Sequence, residues 1–280
     1  MDGAHLQRAL DRAGRASTGP VRRLRPRLHR LLGPAEVTCR TFTGHRLRVV
    51  LPEIVGTELY QRGYIEPALT RVLLDRLRPG MTFVDVGAQY GYHSLVAGLL
   101  VRPGGTVVAV EPARASFRLL QANLEALPGV RLEHIALSDR RGTAELRDFG
   151  TGHSALNTLL PSARVPPEEA RRLRSTTYGV PCRTLDELAD ELGITPDLVK
   201  LDAEGAELDI LRGMTRVLRE AAPLLAVETG DYAGMASPAT AACIDVLEAE
   251  GYRGLEWDGG LRPHRRRDRY GYGNLFFMKD

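Results

Sequence analysis

Apolar positions in this chain gather into short, nearly continuous runs, each followed by a segment of helical period. The runs are Thr82–Val86, Thr106–Val110, Val130–Leu137, Asp197–Leu201 and Pro223–Val227. Runs of that length without polar alternation suit strands buried on both faces of a sheet. Between them, Tyr92–Leu100 reads as a helix packed on the sheet, and Arg114–Leu127 carries Phe117, Leu120, Leu124 and Leu127 on one face. Thr184–Leu192 opens with Thr184 and has Glu187 three residues on, the spacing of a capping box. A helix after Gly205 carries Glu207 and Leu211, and Ser237–Glu250 is the last long one, followed by an antiparallel pair, Tyr252–Trp257 and Asn274–Met278. The alternation predicts an α/β fold with a doubly wound, mostly parallel sheet.

The flanks depart from this pattern. Residues 1–36 carry Leu6, Leu10, Leu24, Leu28, Leu31 and Leu32 at helical spacing, broken by Gly14, Gly19, Pro20 and Pro26, and are crowded with arginine. They read as one or two short helices, either a solvated arm or an oligomer contact; a basic amphipathic segment can also lie on a membrane or bind an acidic partner. Val37–Leu51 alternates around Thr43-Gly44-His45 as a β-hairpin, and Thr57–Leu77 reads as helix. The expected division is an extension over 1–56 and a main domain over 57–280. Asp148–Pro181 has no period and several Gly and Pro residues, as in an inserted lid.

Composition narrows the class. At 280 residues and 43% hydrophobic, the chain can bury one large core. All but two of its 38 basic residues are arginine, lysine standing only at 200 and 279, yet the net charge is +3. Cys39, Cys182 and Cys243 are too far apart in sequence for a metal cluster and suit a reducing compartment. With no apolar run near spanning length and no apolar leader, the expectation is a cytoplasmic protein without membrane insertion. The basic run Arg262–Arg269 has no aromatic-interleaved groove beside it, so nucleic acid is not expected, although an acidic substrate could be held there.

The stretch Met81–Glu111 carries the chemistry. Gly87 and Gly91 bracket a turn between strand and helix, and Glu111 ends the next strand. A dinucleotide site needs G-x-G-x-x-G, but Gln89 and Tyr92 occupy the second and third glycine positions. Asp85 before the turn, Gly91 after it and Glu111 beyond suit S-adenosylmethionine instead. Its sulfonium and amino groups favour nearby carboxylates, and Glu111 can grip a ribose diol bidentately. Ala136, Ser138 or Asp139, at the third strand end, could meet an adenine edge. Tyr64 or Glu66 could close over the methionine end.

Further acids crowd the fourth and fifth strand ends: Asp202 and Glu204 in LDAEG, then Glu228 and Asp231. Asp202 could orient an acceptor, take a proton or bind a divalent cation; Asp202 with Glu228 could bracket such an ion, although no metal is favoured. Within the insertion, His153 and Asn157 are the candidate polar groups, and a neutral histidine could deprotonate a hydroxyl.

The ordered set FVDVGAQYGYHSL, VVAVEP, HIALSDRRG, RTLDEL and VKLDAEGAELDILRGM resembles the FkbM-type methyltransferases over roughly Tyr64–Lys279. The resemblance implies a class I methyltransferase fold, S-adenosylmethionine as donor and, usually, an alcohol oxygen on a small acceptor such as a natural product or sugar. Asp85, Gly87, Gln89, Tyr90 and Gly91 then fall on the cofactor turn, Glu111 on the ribose acid, and Asp202, Glu204 and Gly205 on the D-x-E-G element. Asp202, Glu204 and His153 become the catalytic candidates. Gln89 stands where the family commonly has asparagine, and His93, a second candidate base, where an aromatic is usual. The competing readings are an N- or C-methyltransferase, a NAD-type dehydrogenase and a non-catalytic cofactor binder.

Overall fold

A computed structural model of the chain describes residues 3–15, 19–159, 173–230 and 239–279. Its centre is an eight-stranded sheet in which five consecutive neighbours run parallel. These are β5 (Val130–Glu133), β4 (Thr106–Val110), β3 (Thr82–Val86), β9 (Leu198–Leu201) and β10 (Leu224–Thr229). β13 (Gly273–Met278) inserts antiparallel beside β10, and β11 (Arg253–Trp257) and β12 (Leu261–Pro263) complete the edge. This is the class I methyltransferase architecture.

Alternate residues of the strands feed two apolar cores. Phe83, Val107 and Ala109 face α4 (Pro67–Arg76), α5 (Tyr92–Leu100) and α6 (Arg114–Leu124). Val84, Val86, Val108 and Val110 face α7 (Leu185–Leu192), α8 (Glu207–Arg212) and α9 (Ala239–Ala249). The capping box at Thr184 forms in both directions with Glu187. From β3 the chain winds outward through β4 and β5, then returns to the other side of β3 with β9. Such a switch in winding opens a crevice at the strand carboxyl ends.

Several readings change. Val130–Leu137 is not one strand. It breaks at His134–Ile135, and β6 (Ala136–Leu137) joins a separate sheet with β8 (Thr176–Arg183) and β7 (Gly142–Asp148). The end of the expected insertion is therefore β8, paired along its length with β7. Residues 151–156 of that insertion form a 3₁₀ turn, while 160–172 lie outside the described residues, as do Asp231, Ser237 and Pro238. Thr57–Leu77 divides into α3 (Ile54–Arg62) and α4, because Gly63 adopts φ +78° and Pro67 starts the second helix.

α3 also runs across residues 56 and 57. The hairpin β1 (Ala35–Arg40) with β2 (Arg46–Leu51) forms its own two-stranded sheet rather than extending the main one. Leu6 and Leu10 of α1 (Gly3–Arg15) are fully buried in the same core as α4, and Arg71 pairs with Asp11 at 2.7 Å. The first helix is thus part of the main body. α2 (Pro20–Leu32) is not: Pro26 is its one buried residue. Among the described residues no helix is long and apolar enough to cross a membrane.

Candidate active site

A cavity of about 450 Å³ opens at the carboxyl ends of β3, β4, β9 and the strands beside them, a volume within the usual range for small-ligand sites. Gly87 sets its floor. With φ +73°, a Cβ at this position would lie 1.8 Å from the Asp202 carbonyl oxygen, so the turns after β3 and β9 touch backbone to backbone. Gly91, also at positive φ, starts α5 against Leu120 and Leu124.

Glu111 closes one end. Its two carboxylate oxygens accept the backbone N–H groups of Gln89 and Ala113, both at 2.9 Å. Each oxygen keeps a further lone pair, and the residue lines the cavity at 6% exposure. Burial pushes its pKa up to about 7 despite the two amide donors. Ile135, Ala136, Leu137, Leu146 and Leu156 supply an apolar wall nearby.

The other end is polar; its acids and His93 were candidates from the sequence, but Lys200 was not. Lys200, 2% exposed, sits opposite Asp85 in the β3–β9 register. Its Nζ lies 3.2 Å from Asp85 and 3.3 Å from Asp202, and donates to the carbonyls of Val86 and Gly87 at 3.2 and 3.0 Å. Burial alone would favour neutral lysine, but Asp202, Asp85 and Glu66 outweigh it and raise its pKa. Burial likewise opposes ionisation of Asp85, yet Lys200, His93 and the Ser94 hydroxyl, 2.6 Å away, hold its pKa below the usual carboxylate range. Two single charges in apolar strands, TFVDV and LVKL, were the available signal, together with the rarity of lysine.

Glu66 faces this group from the N-cap of α4, in a left-handed conformation with φ 41°. Asn274 of β13 donates to it at 2.5 Å, and His93 Nε2 lies 3.6 Å away. Burial first, then the charge of Asp202, pushes the Glu66 pKa up to about 7. Burial and Lys200 bring the His93 pKa down to about 4, so the imidazole is neutral. Of the four non-glycine residues at positive φ among the described residues, Glu66, Gln89 and Glu204 line the cavity. Such strain gathers where function constrains the backbone.

A second network seals the roof. The Gln89 side chain donates to Ser154 at 3.0 Å; Tyr90 hydroxyl lies 3.3 Å from both Ser154 and Glu53, and Glu53 caps α3 through Gly56 N–H at 2.7 Å. Asn123 ties the same turn to the hairpin, bonding Tyr90 O at 2.8 Å and the Arg48 backbone at 2.7 and 3.0 Å. Thr158 donates to the Glu204 carbonyl at 2.9 Å, so residues 151–159 bridge the turns after β3 and β9.

Of the expected site residues, Gly87, Gln89, Tyr90, Glu111, Ala136, Asp202 and Glu204 line the cavity. Asp85 is fully buried behind it, and Gly91 shapes the helix start. Asn157 lines it too, its side chain accepting the Phe149 N–H at 2.8 Å. His153 is not brought to it: the residue is exposed, its backbone N–H held by Gly150, and only its neighbours line the wall. Ser138 is also elsewhere, packed where the β9–β10 connection passes at Gly213. Glu207, on the helix after Gly205, caps the backbone N–H groups of Ala203 and Gly205. Asp202, Glu204 and Glu228 bring carboxylate oxygens within 4.8 Å of one another, the kind of donor set a hard cation selects. Lys200 already supplies positive charge beside Asp202. In the C-terminal basic run, Arg266 pairs with Asp245 and Glu248, and Arg267 with Glu256, so these charges are met within the chain.

Residues 85–253 match the Methyltransferase FkbM domain. AMB antimetabolite synthetase AmbE of Pseudomonas aeruginosa is 27% identical over 247 residues, 75% of this chain but 11% of AmbE. The 2-O-methyltransferase NoeI of Sinorhizobium fredii is 27% identical over 142 residues, 49% of this chain and 58% of NoeI. The chain therefore spans about a tenth of one relative and little over half of the other. The FkbM methyltransferase structure from Methylobacillus flagellatus covers 80% of this chain and 54% of its own, at 16% identity and a TM-score of 0.45. With the FkbM domain matched over more than half of its length, the chain belongs to the FkbM methyltransferase family.

Proposed function

We propose that the chain is an S-adenosylmethionine-dependent O-methyltransferase acting on a hydroxyl of a small molecule. The observation that carries this reading is the polarity of one cavity: a buried carboxylate with spare lone pairs at one end, and Asp202 and Glu66 around Lys200, with Glu204 near Asp202, at the other. The first suits a ribose diol, the apolar wall a flat base, and the acids a cationic methionine head. Gly87, Gln89, Tyr90, Glu111 and Ala136 would hold the donor. When bound, it supplies an electrophilic methyl group for in-line displacement.

The chain's own work is to exclude water, orient the acceptor oxygen and accept its proton. Glu66 suits the last task. It lines the cavity, titrates near neutrality and is held by Asn274 beside neutral His93. Asp202, already paired with Lys200, suits orientation. The name of NoeI, a 2-O-methyltransferase, supports oxygen as the acceptor atom.

Calorimetry with S-adenosylhomocysteine and NADH tests the reading. The first should bind and the second should not, and Glu111→Gln should weaken binding by roughly 10- to 100-fold, the worth of hydrogen bonds to a charged group. Binding of NADH alone would favour the dehydrogenase reading. Methyl-labelled donor, followed into product, separates transfer to oxygen from transfer to nitrogen or carbon.

A further inference from the structure

α2 carries a surface that the methyl-transfer site does not use. Val21, Leu24, Leu28, Leu31 and Leu32 are 71%, 64%, 48%, 85% and 71% exposed. At 3.6 residues per turn these five fall within an arc of about 100°. Pro26, the helix's buried residue, lies on the opposite side, so the leucine stripe points away from the protein body. Arginines flank the stripe on both sides: Arg22 and Arg25 on one, Arg23, Arg27 and Arg30 on the other. The helix has no acidic residue, and among the described residues none of the five arginines forms an ion pair with an acid. Arg25 instead lies over the Tyr60 ring of α3, at 5.6 Å from its centroid, which fixes α2 to the body.

We propose that α2 docks this protein on an anionic lipid surface, lying in the interface with its leucine stripe among the acyl chains and its arginines at the headgroups. An amphipathic helix of this composition gains from apolar burial and from charge attraction together. The charge pattern decides among occupants. A second copy meeting stripe to stripe would crowd ten guanidinium groups together with no acids between them. A folded acidic protein would need anchors, and the stripe offers no aromatic side chain. A lipid surface requires neither. α3, which α2 rests on, contributes Ile54 and Val55 to the cavity wall, and Ile54 is 73% exposed. Docking would therefore hold that wall one helix away from the lipid.

Co-sedimentation of the full chain with vesicles tests the proposal. Phosphatidylcholine vesicles containing phosphatidylserine should bind it, phosphatidylcholine alone far less, and added salt should weaken binding. Leu28→Asp with Leu31→Asp should reduce partitioning by more than about tenfold; both positions are exposed, so circular dichroism and S-adenosylhomocysteine affinity should stay unchanged. Three outcomes overturn the proposal: no sedimentation of the wild type with anionic vesicles, equal sedimentation of the double variant, or a dimer in light scattering that the double variant disperses. Binding to polyglutamate without binding to vesicles would also overturn it, in favour of an acidic protein.

Discussion

Replacing Lys200 with methionine removes, at nearly constant volume, the one lysine or arginine that lines the cavity among the described residues. Two carboxylates then lose it. Asp85, fully buried, is 3.2 Å away, and Asp202 is 3.3 Å away. At an effective dielectric of about 20, each pair is worth about 5 kcal/mol of attraction. Desolvation offsets part of that, and breaking a buried pair by removing one partner commonly costs about 3–5 kcal/mol. Against a domain stability of about 5–15 kcal/mol, this is a large fraction. Urea unfolding at neutral pH should show it as a lowered midpoint with an unchanged slope. The pH dependence has a definite sign. In the wild type Asp85 is held ionised, chiefly by Lys200 against burial. In Lys200→Met burial acts with little opposition, the folded-state pKa of Asp85 rises above its unfolded value, and the variant regains stability as pH falls. Wild type and variant should thus converge on acidification. Adding Asp85→Asn should recover much of the loss, since Ser94 can still donate to the amide oxygen. A loss below about 1 kcal/mol, or a gap independent of pH, would refute the reasoning.

Glu66→Gln tests the proposed base. In the wild type kcat/KM should rise with pH through about 7, as Glu66 ionises, and the variant should lose that limb with a fall in kcat of roughly 10²- to 10⁴-fold. A variant that keeps the limb would trace it to Glu111, whose pKa burial also raises to about 7, and would refute Glu66 as the base. Gly87→Ala and Gly91→Ala form a matched pair. The first forces a Cβ into the Asp202 carbonyl and should cost about 3 kcal/mol or more together with donor binding. The second meets the Leu124 side chain, which can shift, so its melting temperature should fall less.

Much of the fold was legible because it rests on local pattern. β3, α5 and β4 lie where their apolar runs place them, and the Thr184 box and final strand pair also match. The errors share a cause. The break after β5 and the pairing of β7 with β8 are contacts between distant segments, and a run such as Val130–Leu137 looks alike whether it serves one sheet or two. In the site, Gly87 and Glu111 were found from their place at strand ends. Lys200 and Glu66 were not assigned these roles, because their meaning depends on neighbours far along the chain, 115 residues away for Asp85 and 208 for Asn274. His153 stood out as an isolated histidine in a segment without period, but chemistry at that position depends on where the side chain is carried, and it is carried to solvent.

The residues themselves therefore determined the alternation of strands and helices, a turn without the G-x-G-x-x-G spacing, and the acid that ends the second strand of that unit. Only tertiary structure decided which charges meet. Register across β3 and β9 puts Lys200 opposite Asp85, and the αL turn before α4 swings Glu66 beneath β13. Burial then resets what those groups can do, because a carboxylate's tendency to hold a proton is set by the water it loses and the charges it gains. Neither quantity is written in the chain until it folds.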